Sequence, residues 1–432
     1  MIEPLRRARD VLYRLCAALL YPINRLLAEV LRVEPVPDSV LHISYMVHIP
    51  YDTVRILREQ GINADYLAIG SSPVWNRCDY QFRPSRLPLL RVLQETVMFW
   101  RVVAKYQTVH LHFMLTLTTG GWELPLLKRM GRKIVVHYRG CEIRNRERNM
   151  MLHSDLNICE NCDYNATVCR HRHNRLRRKN SRRYGDAFLA TTPDLLDFAP
   201  DAVHMPFFSP PDVEVAEQQR VAGVERSKPS ACHAPGVRSA PPRPPHTESP
   251  RDASRPFRIV HVTNHPGIEG TADIEAAINR LIERGYEIEF VFLKGVPHER
   301  VLAEYRTADL AIGKMKMGYY ANAQIESMSL GVPTITWVRP EFLTPELEQS
   351  GLILTHPNRL EQTIEHYLTH PEQLAAKARI ARKSILSLHD NRQLAERYRH
   401  LYRSLHAGKD SQRAVQEEIR SRPSETPERL AG

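Results

Sequence analysis

Three cysteines crowd one short stretch, NICENCDYNATVCRHRH, from Asn157 to His173. The spacing Cys159-x2-Cys162-x6-Cys169 is that of metal ligands. Tetrahedral Zn²⁺ takes four soft or borderline ligands, and Cys141 upstream would complete a closed four-thiolate set. His171 or His173 could stand in for Cys141. A closed set leaves no coordination position for water, so the expected role is structural: a zinc staple on the loop that follows Cys141. A Cys-x-x-Cys redox pair is disfavoured, because the motif does not sit at a thioredoxin-like strand–helix junction. The arginine-dense run at 170–183 then follows. It contains no aromatic residues on which bases could stack, which argues against nucleic-acid binding. A solvated helix face or a surface for acidic lipid fits it equally well.

Other chemistries find little support. There are no paired carboxylates at a glycosidase-like spacing, no Gly-x-Ser-x-Gly and no Walker-type loop. Seven cysteines in 432 residues are too few for a disulfide scaffold and point to a reducing compartment. The formal charge of +11 favours anionic partners without choosing among them.

The elements that must position these residues alternate. Strands are expected at 41–46, 64–70, 108–114, 133–140 and 187–192, with helices at 52–61, 88–106 and 121–130 between them. The pattern restarts at 257–265 and continues through strands at 287–295, 309–314, 333–338 and 352–355, with helices at 270–285, 298–307 and 323–330. Strand–helix alternation with β-branched strands is the signature of a doubly wound α/β domain, so two are expected. The predicted organisation is a basic amphipathic helix at 1–36, a Rossmann-like domain at 37–211 with a Cys-rich insert at 141–183, and a disordered Pro/Ser/Arg-rich linker at 212–256. A second Rossmann-like domain at 257–388, a helix at 389–406 and a disordered tail at 407–432 follow. Two such domains would face each other across a cleft lined by strand carboxyl ends. No uninterrupted run reaches the ~18 apolar residues of a bilayer span. The N-terminal stretch instead reads as a helix lying on an anionic membrane surface or packed on the protein. The expected location is cytoplasmic, on the inner membrane face if that helix binds lipid.

The segment GYYANAQIESMSLGVPTITWV at 318–338 resembles the donor-binding motif of glycosyltransferase family 4, retaining enzymes of the GT-B fold. The family pattern Glu-x-Met-x-x-Gly-x-Pro falls on Glu326, Met328, Gly331 and Pro333. The segment 264–297 resembles the preceding part of the same domain, and VVHYRGCEIR at 135–144 resembles the cleft-facing turn of the N-terminal domain. The resemblance implies a retaining transfer from a nucleotide-diphosphate sugar, with no catalytic metal, to a glycan, lipid-linked or other small-molecule acceptor. A non-catalytic GT-B-like subunit of a glycan-assembly complex is the alternative. Backbone N–H groups of Gly318, Tyr319, Tyr320, Ala321 and Asn322, at a helix N-terminus, would receive the diphosphate. Glu326 would accept hydrogen bonds from the ribose. Asn264, Gly270, Thr271 and Lys316 would complete the donor site.

The match has gaps. Where many members carry a lysine that pairs with the diphosphate, this chain has Glu269, and where they carry a sugar-contacting glutamate it has Gly318. Lys294, Lys314 or Lys316 would have to supply the missing charge. Lys294, at a strand end, is ranked first and taken as catalytic. His137, at the end of KIVVH, is the second catalytic candidate, placed near the transferred sugar. Arg139 and Arg144 are candidates for an acidic acceptor or phosphate.

Overall fold

A computed structural model describes residues 2–153, 156–165, 167–170, 172–210 and 255–408. The expected linker, except Arg255 and Pro256, and the expected tail from 409 lie outside the described residues, as do His171, Cys232 and the side chain of His173.

The described chain divides into two compact units. The first comprises residues 1–147, 164–206 and 392 onward, and the second comprises 148–163 and 207–391. Residues 148–163 and 207–210, expected in the first domain, fall in the second unit, and the C-terminal helix from 392 falls in the first.

In the first unit, seven parallel strands run in the order β3-β2-β1-β4-β5-β6-β7: β1 (Val36–Tyr45), β2 (Ala64–Ile69), β3 (Tyr80–Phe82), β4 (Tyr106–His112), β5 (Lys133–Tyr138), β6 (Ala187–Ala190) and β7 (Val203–His204). Its helices are α1 (Ile2–Val30), α2 (His48–Glu59), α3 (Pro88–Arg101), α4 (Glu123–Arg129) and α5 (Arg172–Tyr184). Parallel strands covered on both faces carry near-continuous apolar runs. Accordingly Leu41, Ile43, Val109, Leu111, Ile134 and Val136 are buried together with Phe99, Leu126 and Leu127 from the helices.

In the second unit, five parallel strands run β12-β11-β10-β8-β9: β8 (Phe257–Val262), β9 (Ile288–Leu293), β10 (Leu310–Ile312), β11 (Thr334–Thr336) and β12 (Leu352–Leu354). The helices are α6 (Thr271–Glu283), α7 (His298–Tyr305), α8 (Asn322–Ser329), α9 (Leu360–Thr369) and α10 (Pro371–Leu388). Ile274, Ile278 and Leu281, spaced to line one face of α6, bury against Phe257, Ile259 and Leu310. The last helix, α11 (Asn391–His406), places Tyr398 and Tyr402 one turn apart in the first unit's interior.

In each sheet the strand order reverses once, between β1 and β4 in the first unit and between β8 and β10 in the second. Doubly wound sheets bind ligands at the strand carboxyl ends beside such a reversal, because connections there leave in opposite directions and open a crevice.

One sequence expectation needs correcting. Although Arg14 and Arg25 interrupt the apolar run, Arg7–Val30 is a single helix long and apolar enough to cross a membrane by length and composition.

Candidate functional site

In the first unit, His42 on β1, His110 and His112 on β4, and His137 on β5 are all fully buried. The register pairs His42 with His110 and His112 with His137 on adjacent strands. Side chains two apart on a strand share a face, so the four rings stack side by side, with centroids 4.5 Å apart for His42–His110 and 4.7 Å for His110–His112.

Their hydrogen bonds form one chain whose two ends fix its direction. The Arg139 guanidinium, which can only donate, reaches His112 Nδ1 at 2.9 Å. That places the His112 proton on Nε2, from which it is donated to His42 Nδ1 at 2.9 Å. His42 Nε2 then meets the Tyr402 hydroxyl at 3.4 Å, and that hydroxyl donates to His110 Nδ1 at 2.9 Å. His110 Nε2 donates to His137 Nδ1 at 3.2 Å, and His137 Nε2 donates to Thr191 Oγ1 at 3.2 Å. Thr191 finally donates to the Tyr138 carbonyl, which can only accept, at 3.0 Å. Each ring is therefore a neutral Nε2–H tautomer. Burial and the Arg139 charge push the His42 pKa down to about 3, and burial pushes those of His110, His112 and His137 well below the ordinary value.

Ligand nitrogens of His42, His110 and His112 lie within 4.8 Å of one another, close enough to hold a metal ion. Every ring nitrogen is already engaged, and a dication there would face Arg139. The hydrogen-bonded form therefore satisfies the groups better than a metal would. The same geometry corrects the expectation for His137. Both its ring nitrogens are engaged in the interior, and its carbonyl accepts from the Phe113 N–H at 3.1 Å, so it is a structural histidine. The His-x-His alternation in TVHLHFM was the unused sequence signal.

Arg144 is likewise structural. It is buried, pairs with Asp194 and donates to Cys141 Sγ at 3.6 Å. Desolvation lowers its pKa, and the combined attraction and hydrogen bonding of Asp194 and Cys141 overcome this and raise it. Arg139 sits half-buried at the head of the histidine chain, so its guanidinium orients His112. Within the arginine-dense run, Arg178 donates to the Ile143 carbonyl at 2.8 Å and Arg182 pairs with Asp201 at 3.0 Å, so these residues hold the fold together. At the reversal of this sheet, Phe113 and Met114 both take left-handed backbone, with φ of 57° and 52°. Such strain at non-glycine residues marks functional edges, and sequence reasoning had no signal for it.

The cysteines do not assemble as expected. Cys159 and Cys162 fall in the second unit, Cys141 and Cys169 in the first. Among the described residues, no cluster of metal-ligating atoms includes a cysteine. The staple role falls to amides instead. Asn157 Oδ1 accepts from Asn149 Nδ2 at 2.8 Å and from the Cys159 N–H at 2.7 Å, while Asn157 Nδ2 donates to the Asn149 and His153 carbonyls, both at 2.7 Å. Cys159 is buried and its sulfur accepts from Asn149 at 3.4 Å. The segment ends at Asp163, whose carboxylate accepts from the N–H groups of Gly267 and Ile268 at 3.2 and 3.0 Å.

Beside the reversal of the second sheet, Glu269 is buried and ion-paired with Lys314, which follows β10. Lys316 pairs with Asp273 at 3.3 Å. Of the three candidate lysines, Lys314 therefore sits against Glu269. Lys294 is exposed just after the edge strand β9, within electrostatic reach of His265. Glu269, standing where the resemblance would put a lysine, holds the Lys314 ammonium in place. Glu326 on α8 is buried, with His298 Nε2 3.1 Å from its Oε1. Tyr305 is buried within the electrostatic reach of both Glu326 and Glu269, and its pKa is raised first by burial and then by these two carboxylates.

The 318–322 loop is only partly as expected. Tyr320 is core, with its hydroxyl 2.9 Å from His389 Nε2, and Tyr319 stacks on it with centroids 4.5 Å apart. Ala321 caps α8, its N–H donating to Gln324 Oε1 at 3.0 Å, and Asn322 opens that helix half-buried. Gly318 has φ of 78°, and a Cβ there would lie 2.6 Å from Arg339 Cγ. The buried Arg339 side chain thus fills the space a side chain at Gly318 would need, with Nη1 2.7 Å from His153 Nε2. Gly270 also has a positive φ, 85°, and packs against Lys316 and Met315. Thr271 Oγ1 bonds His261 Nε2 at 2.9 Å, and the exposed Asn264 accepts from the Gly295 N–H at 3.0 Å.

No protein-family model and no curated protein matches the sequence. Solved structures do. A sucrose-phosphate synthase from Thermosynechococcus elongatus is 15% identical and aligns over 86% of this chain and 100% of its own, with a TM-score of 0.54. Anabaena HepE in complex with UDP is 11% identical over 85% of this chain and 100% of its own, with a TM-score of 0.48. The catalytic domain of starch synthase IV from Arabidopsis thaliana, bound to ADP and acarbose, is 11% identical over 88% and 99%, with a TM-score of 0.48. The first of these, together with the two sheet topologies, shows the fold and does not single out family 4. Two doubly wound parallel-sheet units with one reversal each give this chain the GT-B fold.

Proposed function

We propose that this chain is a retaining glycosyltransferase. Its second unit would hold a nucleotide-diphosphate sugar and its first unit an acceptor. The observation that carries the reading is the pair of charged groups beside the second sheet's reversal: a lysine, Lys314, held by a buried carboxylate, and a second buried carboxylate, Glu326, near the start of α8. Departure of a nucleotide diphosphate leaves additional negative charge on the phosphates. A fixed ammonium and helix N–H groups stabilise that charge without reorganising at the moment of reaction. Glu326, oriented by His298, is suited to accept hydrogen bonds from a ribose diol.

The test is incubation with a panel of nucleotide sugars, following nucleotide release. Turnover that disappears in Glu326→Ala supports the reading. Absence of both turnover and nucleotide binding across the panel removes it. One observation favours a second reading, a nucleotide-binding subunit without turnover: Arg339 fills the space at Gly318 where the family carries a sugar-contacting carboxylate. Nucleotide-dependent thermal stabilisation without product, from any donor, would select it.

A further inference from the structure

α1 has two different faces. Tyr13 and Asn24 are buried and fix the helix on α3: the Tyr13 hydroxyl donates to Glu95 Oε2 at 2.5 Å, and Trp100 Nε1 donates to Asn24 Oδ1 at 2.7 Å. On the opposite side Val11, Leu12, Leu15, Leu19, Ile23 and Leu26 are exposed, Leu19 by 76%. Their spacing of three and four residues makes one continuous stripe along the helix. α3, packed beside it, leaves a second stripe of Leu89, Leu90, Leu93 and Val97, each at least 44% exposed. Scattered apolar residues on a surface need no explanation, but two adjoining helical stripes of leucine, isoleucine and valine do.

We propose that the α1–α3 face docks in the plane of an anionic lipid bilayer. Charge identifies the occupant. Exposed Arg7, Arg9, Arg14 and Arg25 on α1, with Arg86 just before α3 and Arg101 at its end, border the stripes. On these helices Glu95 faces Arg91 at 3.0 Å, and Glu29 faces Arg25 and Arg129 at 3.5 and 3.3 Å, so against Asp10 the basic margin is carried chiefly by Arg9, Arg14, Arg86 and Arg101. An apolar face with a basic margin is the pattern of helices that lie at the headgroup boundary of acidic membranes. A second copy of the chain, paired about a two-fold axis, would bring this basic margin against itself. α1 meets the length and composition of a spanning helix, but spanning would pull Tyr13 and Asn24 away from their buried partners on α3. The in-plane pose keeps those bonds and buries both stripes.

The test is co-sedimentation of the full chain with phosphatidylcholine vesicles and with vesicles that also contain phosphatidylglycerol. Binding is expected to the second and to weaken with salt. Leu19→Glu and Leu93→Glu should each lower partitioning at least about tenfold while leaving thermal unfolding unchanged, since both side chains are exposed. Three results would overturn the proposal. The first is failure to bind acidic vesicles. The second is binding that either substitution leaves intact. The third is a lipid-free dimer that Leu19→Glu dissolves, which would assign the face to a second copy. Resistance of bound protein to alkaline carbonate extraction would contradict the in-plane pose in favour of a spanning α1.

Discussion

The two units bury polar groups in opposite ways. The first closes four histidines into a one-directional chain of neutral rings, with a single guanidinium at its head. The second sets Lys314 against Glu269 and the His298 ring against the Glu326 carboxylate, beside the reversal of its sheet. Neutral networks inside a protein rigidify it once every donor and acceptor is satisfied. Buried ions cost desolvation and are weak evidence of stabilisation. Beside its reversal the first unit thus satisfies neutral rings with one another, although it buries the Arg144–Asp194 pair elsewhere, whereas the second unit sets a lysine and carboxylates beside its reversal.

That contrast can be broken experimentally. The largest expected effect lies at the buried Arg144–Asp194 ion pair of the first unit. Arg144→Met leaves Asp194 uncompensated and should cost about 3–5 kcal/mol by urea denaturation. Loss below about 1 kcal/mol would mean that water reaches the pair.

The histidine chain predicts a pH signature. These histidines are neutral when folded and protonate more readily when unfolded. Stability should therefore be complete above about pH 6.5 and fall as pH drops towards 3, because the unfolded state binds more protons there. His42 alone should remove about 2 kcal/mol at pH 5 relative to pH 8, with the other three acting in the same direction. Denaturation midpoints that stay flat from pH 8 to pH 5 would refute the neutral chain.

Smaller changes sharpen the second unit. Gly318→Ala, at a left-handed position crowded by Arg339, should destabilise by about 1–2 kcal/mol. Lys294→Ala should shift stability by less than about 0.5 kcal/mol and leave nucleotide affinity unchanged, because that side chain is exposed beyond an edge strand. A large loss of affinity in this variant would place Lys294 at the site and displace Lys314.

Much of the fold was legible because its signals are local. Apolar strand runs and helix periodicity located β4, β5, α3, α6 and α8 to within a few residues. Glu326, Met328, Gly331 and Pro333 gave the α8 segment its resemblance to a known pattern. What was not legible depends on distant partners. Nothing near Glu269 in sequence announces Lys314, forty-five positions away. The return of α11 to the first unit rests on Tyr402 and His406 meeting His110 and Thr108. The cysteines misled because ligand spacing resembles chance spacing in a loop, whereas the Asn149–Asn157 pairing that organises this loop has no sequence signature. The three-residue β3 was missed because so short a run shows no periodicity.

The central claim is that the second unit binds a nucleotide diphosphate through groups that include Glu326. Titration calorimetry of UDP, ADP and GDP against the intact chain and Glu326→Ala tests it directly. At least one nucleotide should bind the intact chain, and Glu326→Ala should weaken that binding about 10- to 100-fold, the loss of one or two charge-assisted hydrogen bonds. An intact chain that binds none of them, or a variant that binds as tightly as the intact chain, would contradict the account.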